Sequence, residues 1–363
     1  MASINQITLP QNFYDVVSTQ LLVQPEPQYL HAKWIIGALN AALPIPSDFG
    51  LPGRMLDAKG ASYMQFDEMR SIISDPIGPN LLAAAVNMVG TPGTTVRLNR
   101  PKFTDSVYTE ASRRLTPGSS ITTTGIAISS EQTMLTLREY SGPHNGSTVA
   151  PYAVDKFAAQ NGVHNLASAV GQHHSRDFHK FLDTWAVTTI DNAGTALYPK
   201  GMTADDDAKA KGMFPFDYET LIRTNRVMDD AKLPRLPDGR RVLVLTPTGA
   251  SQLGLDKAFQ RASQFHPEFN TLFAGTYVGT TKEFHVFYSQ TLTTKANTSS
   301  VNIHYGQAIA PGALGAAMGM APEIRPNTND DFGRTVLTVW LAYLALESMD
   351  NRFIYSVRYT EDG

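Results

Sequence analysis

Histidines and a carboxylate crowd into one short stretch, Gln172 to His179, which reads QHHSRDFH. Side chains three or four residues apart share a face of a helix, so His173 and His174 are each spaced to bind a metal ion together with Asp177. His179 points elsewhere, the HExxH pattern of zinc enzymes is missing, and His174 falls within an apolar stripe. We therefore expect a structural role and no metal site. A metal-dependent hydrolase that uses His173, His174 and Asp177 is the alternative from another functional class.

Three further motifs lack parts of the pattern that their chemistry requires. The run Asp205–Asp207 lacks the alternating ligands and central glycine of a calcium loop, which favours a solvated charge run. The glycine-rich stretch Gly90–Thr95 is followed by no Gly-Lys-Ser/Thr, and its Pro92 cannot donate an amide to phosphate. Ser251 lies in no Gly-x-Ser-x-Gly elbow. The sequence thus predicts no catalytic residue and no cofactor, and we expect a protein that is not an enzyme.

The composition excludes several other classes of function. The chain has 363 residues and no cysteine, so disulfides, thiolate zinc sites and cysteine nucleophiles are ruled out. A formal net charge of −3 argues against tight, non-specific binding of nucleic acid through a basic surface. We expect no signal peptide, and the apolar run Val336–Leu346 is too short to span a bilayer. Only 17% of the residues are charged, which suits a subunit that buries its flanks against neighbours.

The element that would carry the histidine cluster is the strongest predicted helix, Val163–Thr189. Apolar or buried positions recur along it at spacings of three and four, the period of one helix face. They are Val163, Leu166, Val170, His174, Phe178, Phe181, Trp185 and Thr189. The sequence Asp191–Gly194 predicts the end of the helix. We expect this helix to act as a structural spine.

Two segments in the first half of the chain have little apolar core of their own. Residues 1–50 contain five prolines, which predicts an extended arm draped over its own body or a neighbouring copy. Strand-like pieces follow from Thr95 to Tyr140, with few large apolar residues in the middle. Such a hairpin is marginal in water by itself, so we expect it to lie on another subunit, with a mobile loop as the alternative. Near its tip, Glu110, Arg113 and Arg114 are candidates for inter-subunit contacts, and a solvated loop tip is the other interpretation.

The second half alternates helices and strands. Asp217 is a predicted cap of a helix that runs to about Asp230 with Leu221, Ile222, Met228 and Ala231 inward. A Pro-Asp-Gly turn then leads into a short buried strand that ends at Leu245, and Thr246-Pro247 closes that strand ahead of a short helix. This pattern predicts a compact α/β lobe over residues 213–310. Arg334–Leu346 and Phe353–Tyr359 are predicted to close the chain as an antiparallel hairpin.

The order of these parts resembles that of the major capsid proteins of tailed bacteriophages, which have the Hong Kong 97-type fold. Three stretches carry the resemblance: SSEQTMLTLREYSGPH, which is similar to the strand leaving the family's extended loop; FDYETLIRTNRVMDDAKLPRLPDGRRVLVLTPTGASQLGLDKAF, which is similar to the opening of its axial domain; and DDFGRTVLTVWLAYLALESMDNRFIYSVRY, which is similar to its return strands. The resemblance implies an α+β fold. Its expected parts are an N-terminal arm (1–50), a first piece of a peripheral domain (51–94), an extended β-loop (95–150), the peripheral domain with its spine helix (151–210), an axial domain (211–310) and return strands of the peripheral domain (311–363).

The same resemblance implies a function in which the subunit itself is the building material. It implies hexamers and pentamers, held by non-covalent contacts, that tile an icosahedral shell around double-stranded DNA without sequence-specific binding. Portal, scaffolding or decoration proteins are then expected partners, a membrane is not, and the protein would be made in the host cytoplasm and located in the virion. An encapsulin-type compartment, which shares the fold and holds cargo in place of DNA, is the sister alternative.

Overall fold

A long helix and two β-sheets organise the chain in a computed structural model. The structure describes residues 29–42, 82–87, 93–102, 129–155, 166–210, 212–260, 277–281, 283–298, 300–328 and 335–361. The α-helices are α1 (Leu30–Ala42), α2 (Leu166–Ala193), α3 (Asp207–Ala210), α4 (Tyr218–Asp230) and α5 (Pro247–Leu255). The strands are β1 (Leu82–Asn87), β2 (Thr95–Lys102), β3 (Ser129–Thr136), β4 (Arg138–Gly142), β5 (His144–Asn145), β6 (Thr148–Val149), β7 (Tyr152–Asp155), β8 (Thr195–Leu197), β9 (Arg241–Leu245), β10 (Tyr277–Thr280), β11 (Phe284–Tyr288), β12 (Thr294–Ala296), β13 (Asn302–Ile309), β14 (Leu314–Thr328), β15 (Thr335–Ser348) and β16 (Ile354–Thr360).

The predicted spine helix is present as α2, which is 28 residues long. It ends where the sequence predicts, and the Gly194 N–H still bonds the Ile190 carbonyl at 2.8 Å. Its buried face is wider than expected, because α2 packs against β15 on one side and α1 on another. Of the predicted stripe, Phe181, Trp185 and Thr189 are only half-buried. The remaining helix positions that are fully enclosed include Leu182, Ala186 and Ile190.

The first sheet lies against the spine helix. Within the described residues its strand order is β1-β14-β15-β4, and β7 pairs with β15 beyond the end of β4. β15 alternates between buried and half-buried residues along its first ten positions, as a strand with one covered face should. Trp340 of this strand is buried, with its ring centroid 5.2 Å from that of Phe178 on α2. The helix and the sheet therefore share one core.

The second sheet has the described strand order β10-β11-β9-β13-β16-β8, with β12 paired to β13. β9 is buried along its whole length, since it runs parallel to β11 on one side and antiparallel to β13 on the other. The Thr246 side chain caps α5 by accepting from the Gly249 N–H, and Pro247 begins the helix. The Tyr359 hydroxyl also contacts the Thr246 backbone N–H and Oγ1, each at 2.9 Å. The junction between β9 and α5 is thus stabilised by a helix cap and by hydrogen bonds to Tyr359.

One segment departs from the predicted arm. Residues 30–42 form helix α1, although the sequence predicts an extended segment there. Nearly all of its described side chains are buried, and the Trp34 ring lies edge-on to Phe287 of β11 at 5.3 Å. The helix is stable there because it fills the space between α2 and both sheets, which is a tertiary effect. The rest of the predicted arm, 1–28 and 43–50, lies outside the described residues.

The predicted closing hairpin is wrong. β15 pairs with β14, β4 and β7 in the first sheet, whereas β16 pairs with β13 and β8 in the second. The two strands separate because each finds a long partner elsewhere, and β16 matches β13 over seven residues from Ile354 to Thr360. Residues 311–363, expected as return strands of one domain, therefore supply both sheets. The expected division of the chain into domains stays a prediction.

Candidate functional site

The histidine cluster lies at the contact between α2 and the first sheet. The buried His174 ring places Nε2 2.9 Å from Thr338 Oγ1, and burial, followed by the neighbouring His173, lowers the pKa of His174 to about 4. Asp177 accepts a 2.7 Å hydrogen bond from the indole nitrogen of Trp340. His173 is exposed, with its ring 5.7 Å from that of Tyr152. In the part of the chain that is described, no three His, Cys, Asp or Glu side chains are arranged to hold a metal ion.

The aspartate run is not the solvated charge run that the sequence predicts. Asp205 accepts a 2.7 Å hydrogen bond from Arg358. Asp206 accepts from the backbone and hydroxyl of Thr298, and Asp207 accepts from the Thr203 N–H at 2.6 Å at the start of α3. Asp205 and Asp206 thus tie the segment before α3 to β16 and to the loop before β13, through contacts between distant residues that no local motif signals. Asp207, in contrast, bonds the backbone just before α3 and acts locally.

Two strands of the predicted extended loop form a ribbon, β2–β3. They pair antiparallel from Thr95↔Thr136 to Lys102↔Ser129, and among the described strands they pair with each other alone. One end is anchored, because Leu135 and Leu137 are buried against Ala317 and Ala345 of the first sheet. Residues 103–128 lie outside the described residues, and so do Glu110, Arg113 and Arg114. The structure thus shows a paired ribbon at the start of the predicted loop, and the assignment of residues 95–150 as an extended loop, including its tip, stays a prediction.

Several large apolar side chains are exposed on the described surface. Met134 is on the ribbon, Ile222 is on α4 and Leu255, at the end of α5, is 72% exposed. Ile222 and Ala231 were expected to face inward but are exposed, whereas Leu221 and Met228 are buried as predicted. The helical spacing of apolar residues alone predicted Ile222 on the inner face, but the buried face of α4 is narrower than that spacing suggests. Single exposed apolar side chains of this kind are normal on a protein surface.

Membrane insertion through a helix finds no support in the described ranges. None of the helices there combines the length and the apolar character needed to cross a bilayer.

Comparison with known proteins gives a likeness in structure alone. No protein-family model matches the sequence, and no curated protein matches it. The capsid of cyanophage Pam1 is similar with a TM-score of 0.56 and 10% identity, over 77% of this chain and 89% of that chain. The capsid of Ralstonia phage GP4 gives 0.55 and 11%, over 78% and 88% respectively. The capsid of cyanophage P-SCSP1u gives 0.52 and 14%, over 79% and 88%.

These solved structures cover most of both chains. At such low identity the likeness establishes the fold and not the function, because function depends on the residues of a site, which can differ between proteins of one fold. The α+β architecture expected from the sequence is confirmed. The chain has the fold of bacteriophage capsid subunits.

Proposed function

We propose that this protein is the major capsid subunit of a tailed bacteriophage, a non-enzymatic building block of an icosahedral shell around double-stranded DNA. The observation that carries the proposal is the shared fold with phage capsids over more than three quarters of this chain. Hexamers and pentamers held by non-covalent contacts are the expected assembly states. The portal, scaffolding or decoration proteins are the expected partners, and the virion is the expected location.

The β2–β3 ribbon gives this proposal a physical basis. A two-stranded ribbon is at best marginally stable in water, and an edge strand offers unpaired backbone groups to another chain. This ribbon is anchored at one end by Leu135 and Leu137, while Met134 beside them is 54% exposed. A neighbouring subunit that covers the ribbon would bury Met134 and satisfy the edges. Glu110, Arg113 and Arg114 are proposed to pair with that neighbour.

The test separates folding from assembly. Removing residues 105–124 is expected to leave the two sheets and α2 intact, because no described element lies in that range. The circular dichroism spectrum and unfolding midpoint of the subunit should change little, and negative-stain microscopy should show no particles. Normal particles from the deletion variant would contradict the role of the loop, and a full-length chain that stays monomeric with every scaffold tried would contradict the capsid proposal.

A point-substitution version uses a matched control. Arg113→Glu together with Arg114→Glu should reduce particle yield by reversing the charge at the proposed contact. Arg226→Glu changes the same residue type on α4, where Arg226 is 82% exposed in an i,i+4 pair with Asp230, and should assemble normally. Equal yields from the two proteins would remove Arg113 and Arg114 from the interface.

A further inference from the structure

The short hairpin β5–β6 ends in an Asn-Gly turn. Asn145 pairs with Thr148, and Gly146 and Ser147 form the connecting turn. All six residues from His144 to Val149 are exposed. Gly146 has φ +64°, and a Cβ added there would meet no described atom within 4 Å. Glycine is thus favoured at this position by the positive φ of the turn, and the space around it is open.

This arrangement places a reactive pair in water. We propose that Asn145 is a site of spontaneous covalent modification, in which its side-chain amide is lost through a cyclic imide formed with Gly146. The Gly146 backbone nitrogen attacks the Asn145 side-chain carbonyl carbon, the new C–N bond closes a five-membered ring, and the side-chain nitrogen leaves as ammonia with the proton from the Gly146 amide. Water then opens the ring at either carbonyl. The products are an α-aspartyl residue or a β-aspartyl residue, and no oxidant or reductant takes part.

Two features favour the reaction at this asparagine. The attacking nitrogen and the carbonyl are held in adjacent residues, so the ring closure is intramolecular and has a high effective concentration. Glycine has no side chain that would hinder formation of the ring, and it allows the backbone rotation that the attack needs. Asn192 is also exposed, but Ala193 follows it inside α2, where the helix restrains that rotation. The reaction is therefore expected at Asn145 and is expected to be slow at Asn192.

The hairpin is small enough to open. It consists of two residues on each side, and its tip is fastened by the Asn145–Thr148 pair and a 3.0 Å hydrogen bond from Thr148 Oγ1 to the Asn145 carbonyl. Isolated hairpins of this size are marginally stable, so the attack geometry is reached by local opening. Either product adds one negative charge to the tip. The β-aspartyl product also lengthens the main chain by one carbon, which shifts the register of Asn145 against Thr148.

Tryptic mapping of the aged protein tests the proposal directly. Cleavage after Arg138 and Lys156 yields a peptide in which Asn145 is the only asparagine, and cleavage after Lys180 and Lys200 yields one with Asn192 alone. A second Asn-Gly pair, Asn161-Gly162, falls in a separate peptide and does not interfere. After incubation of the purified chain in mildly alkaline buffer, the Asn145 peptide should gain the mass of an amide-to-acid change and split into two isomers. Conversion of the Asn145 peptide no faster than that of the Asn192 peptide would overturn the proposal.

Two variants test the chemistry. Asn145→Gln removes the five-membered ring and should lower the conversion at this position by roughly tenfold or more, given the dependence of intramolecular reactions on geometry. Gly146→Ala should slow conversion of Asn145 through the added Cβ. Because alanine is strained at this φ, Ser147→Ala serves as the companion variant that changes the turn and keeps the Asn-Gly pair, and it should convert as fast as the parent chain. Equal rates in Gly146→Ala and the parent chain would show that the backbone of residue 146 is not the nucleophile.

Discussion

The buried carboxylate of Asp183 should decide whether α1 stays docked. Asp183 is fully buried on α2, and its Oδ1 accepts the backbone N–H of His31 at 2.7 Å and that of Ala32 at 3.1 Å. Its Oδ2 accepts the Thr291 hydroxyl. One side chain therefore caps the first turn of α1 and ties it to the loop before β12. Asp183→Ala leaves the two backbone donors of α1 without their acceptor, whereas the Thr291 hydroxyl can still donate to Ser289 Oγ, 2.8 Å away.

The magnitude follows from those donors. A buried donor that loses its partner costs about 1–3 kcal/mol, and partial relaxation reduces the sum, so we expect Asp183→Ala to lower the free energy of unfolding by about 4 kcal/mol. Asp183→Asn keeps one acceptor oxygen for the backbone amides and should lose about 1–2 kcal/mol. Asp206→Ala is the control, since Asp206 is exposed and its described hydrogen bonds come from the backbone and hydroxyl of Thr298. It should stay within about 1 kcal/mol of the parent.

Urea unfolding of the unassembled subunit, followed by tryptophan fluorescence, measures these differences. Trp34 reports on α1, because its ring is buried against Phe287. The midpoint should fall with an unchanged m-value, and amide exchange at His31 and Ala32 should accelerate. A change of less than about 0.5 kcal/mol in Asp183→Ala would refute this account of how α1 is held.

The same carboxylate gives a dependence on pH. Burial alone would raise the pKa of Asp183, but the His31 imidazole, whose Nδ1 lies 3.5 Å from Oδ1, together with hydrogen bonds from Thr291 and Ala32, outweighs it and lowers the pKa. A carboxyl whose folded pKa is depressed contributes stability above its unfolded value of about 3.9. That contribution is lost as pH falls through the folded pKa, and Asp183→Asn should lack it.

Two further predictions use matched positions. A Cβ at Gly249 would lie within 2.3 Å of the Tyr359 hydroxyl, so Gly249→Ala should lower the free energy of unfolding in urea by about 1–3 kcal/mol. Gly254 lies on the same helix, but a Cβ there meets nothing within 4 Å, so Gly254→Ala should be neutral or stabilising by up to about 1 kcal/mol. Equal effects of the two substitutions would contradict the packing described for α5. The pKa of His174 is lowered to about 4, so the unfolded chain binds a proton there first, and stability should decline as pH falls from about 6.5 towards 4 by at most about 3 kcal/mol. The urea midpoint should change less with pH across this range in His174→Gln than in the parent chain. Identical pH profiles of the two proteins would show that His174 is not the group responsible.

Local signals in the sequence predicted the parts of the fold that local interactions determine. The Asp217 cap, the start of α4, the buried β9 strand and the Thr246-Pro247 start of α5 are all found as expected. Each depends on a backbone donor satisfied within a few residues or on the fixed φ of proline. The end of α2 at Gly194 was predictable for the same reason.

Interactions between distant residues account for what the sequence did not reveal. Residues 30–42 have prolines on both sides in the sequence and no strong helix cap of their own. Their helix depends on the hydrogen bonds to Asp183 and on burial. The separation of β15 from β16 depends on β13, and a two-residue period cannot identify a partner strand. Asp205 looked solvated because Arg358 is 153 positions away. The proposed contact residues at the loop tip stay predictions.

The docking of α1 also has a consequence for synthesis on the ribosome. His31 Nε2 meets Gln307 Oε1 at 2.8 Å across a separation of 276 residues. Translation proceeds at about 5–20 residues per second, so Trp34, Ile35 and Ile36 emerge well before the strand that completes their surroundings. During that interval the nascent segment exposes apolar side chains, and completion of the subunit is delayed until β13 has been made.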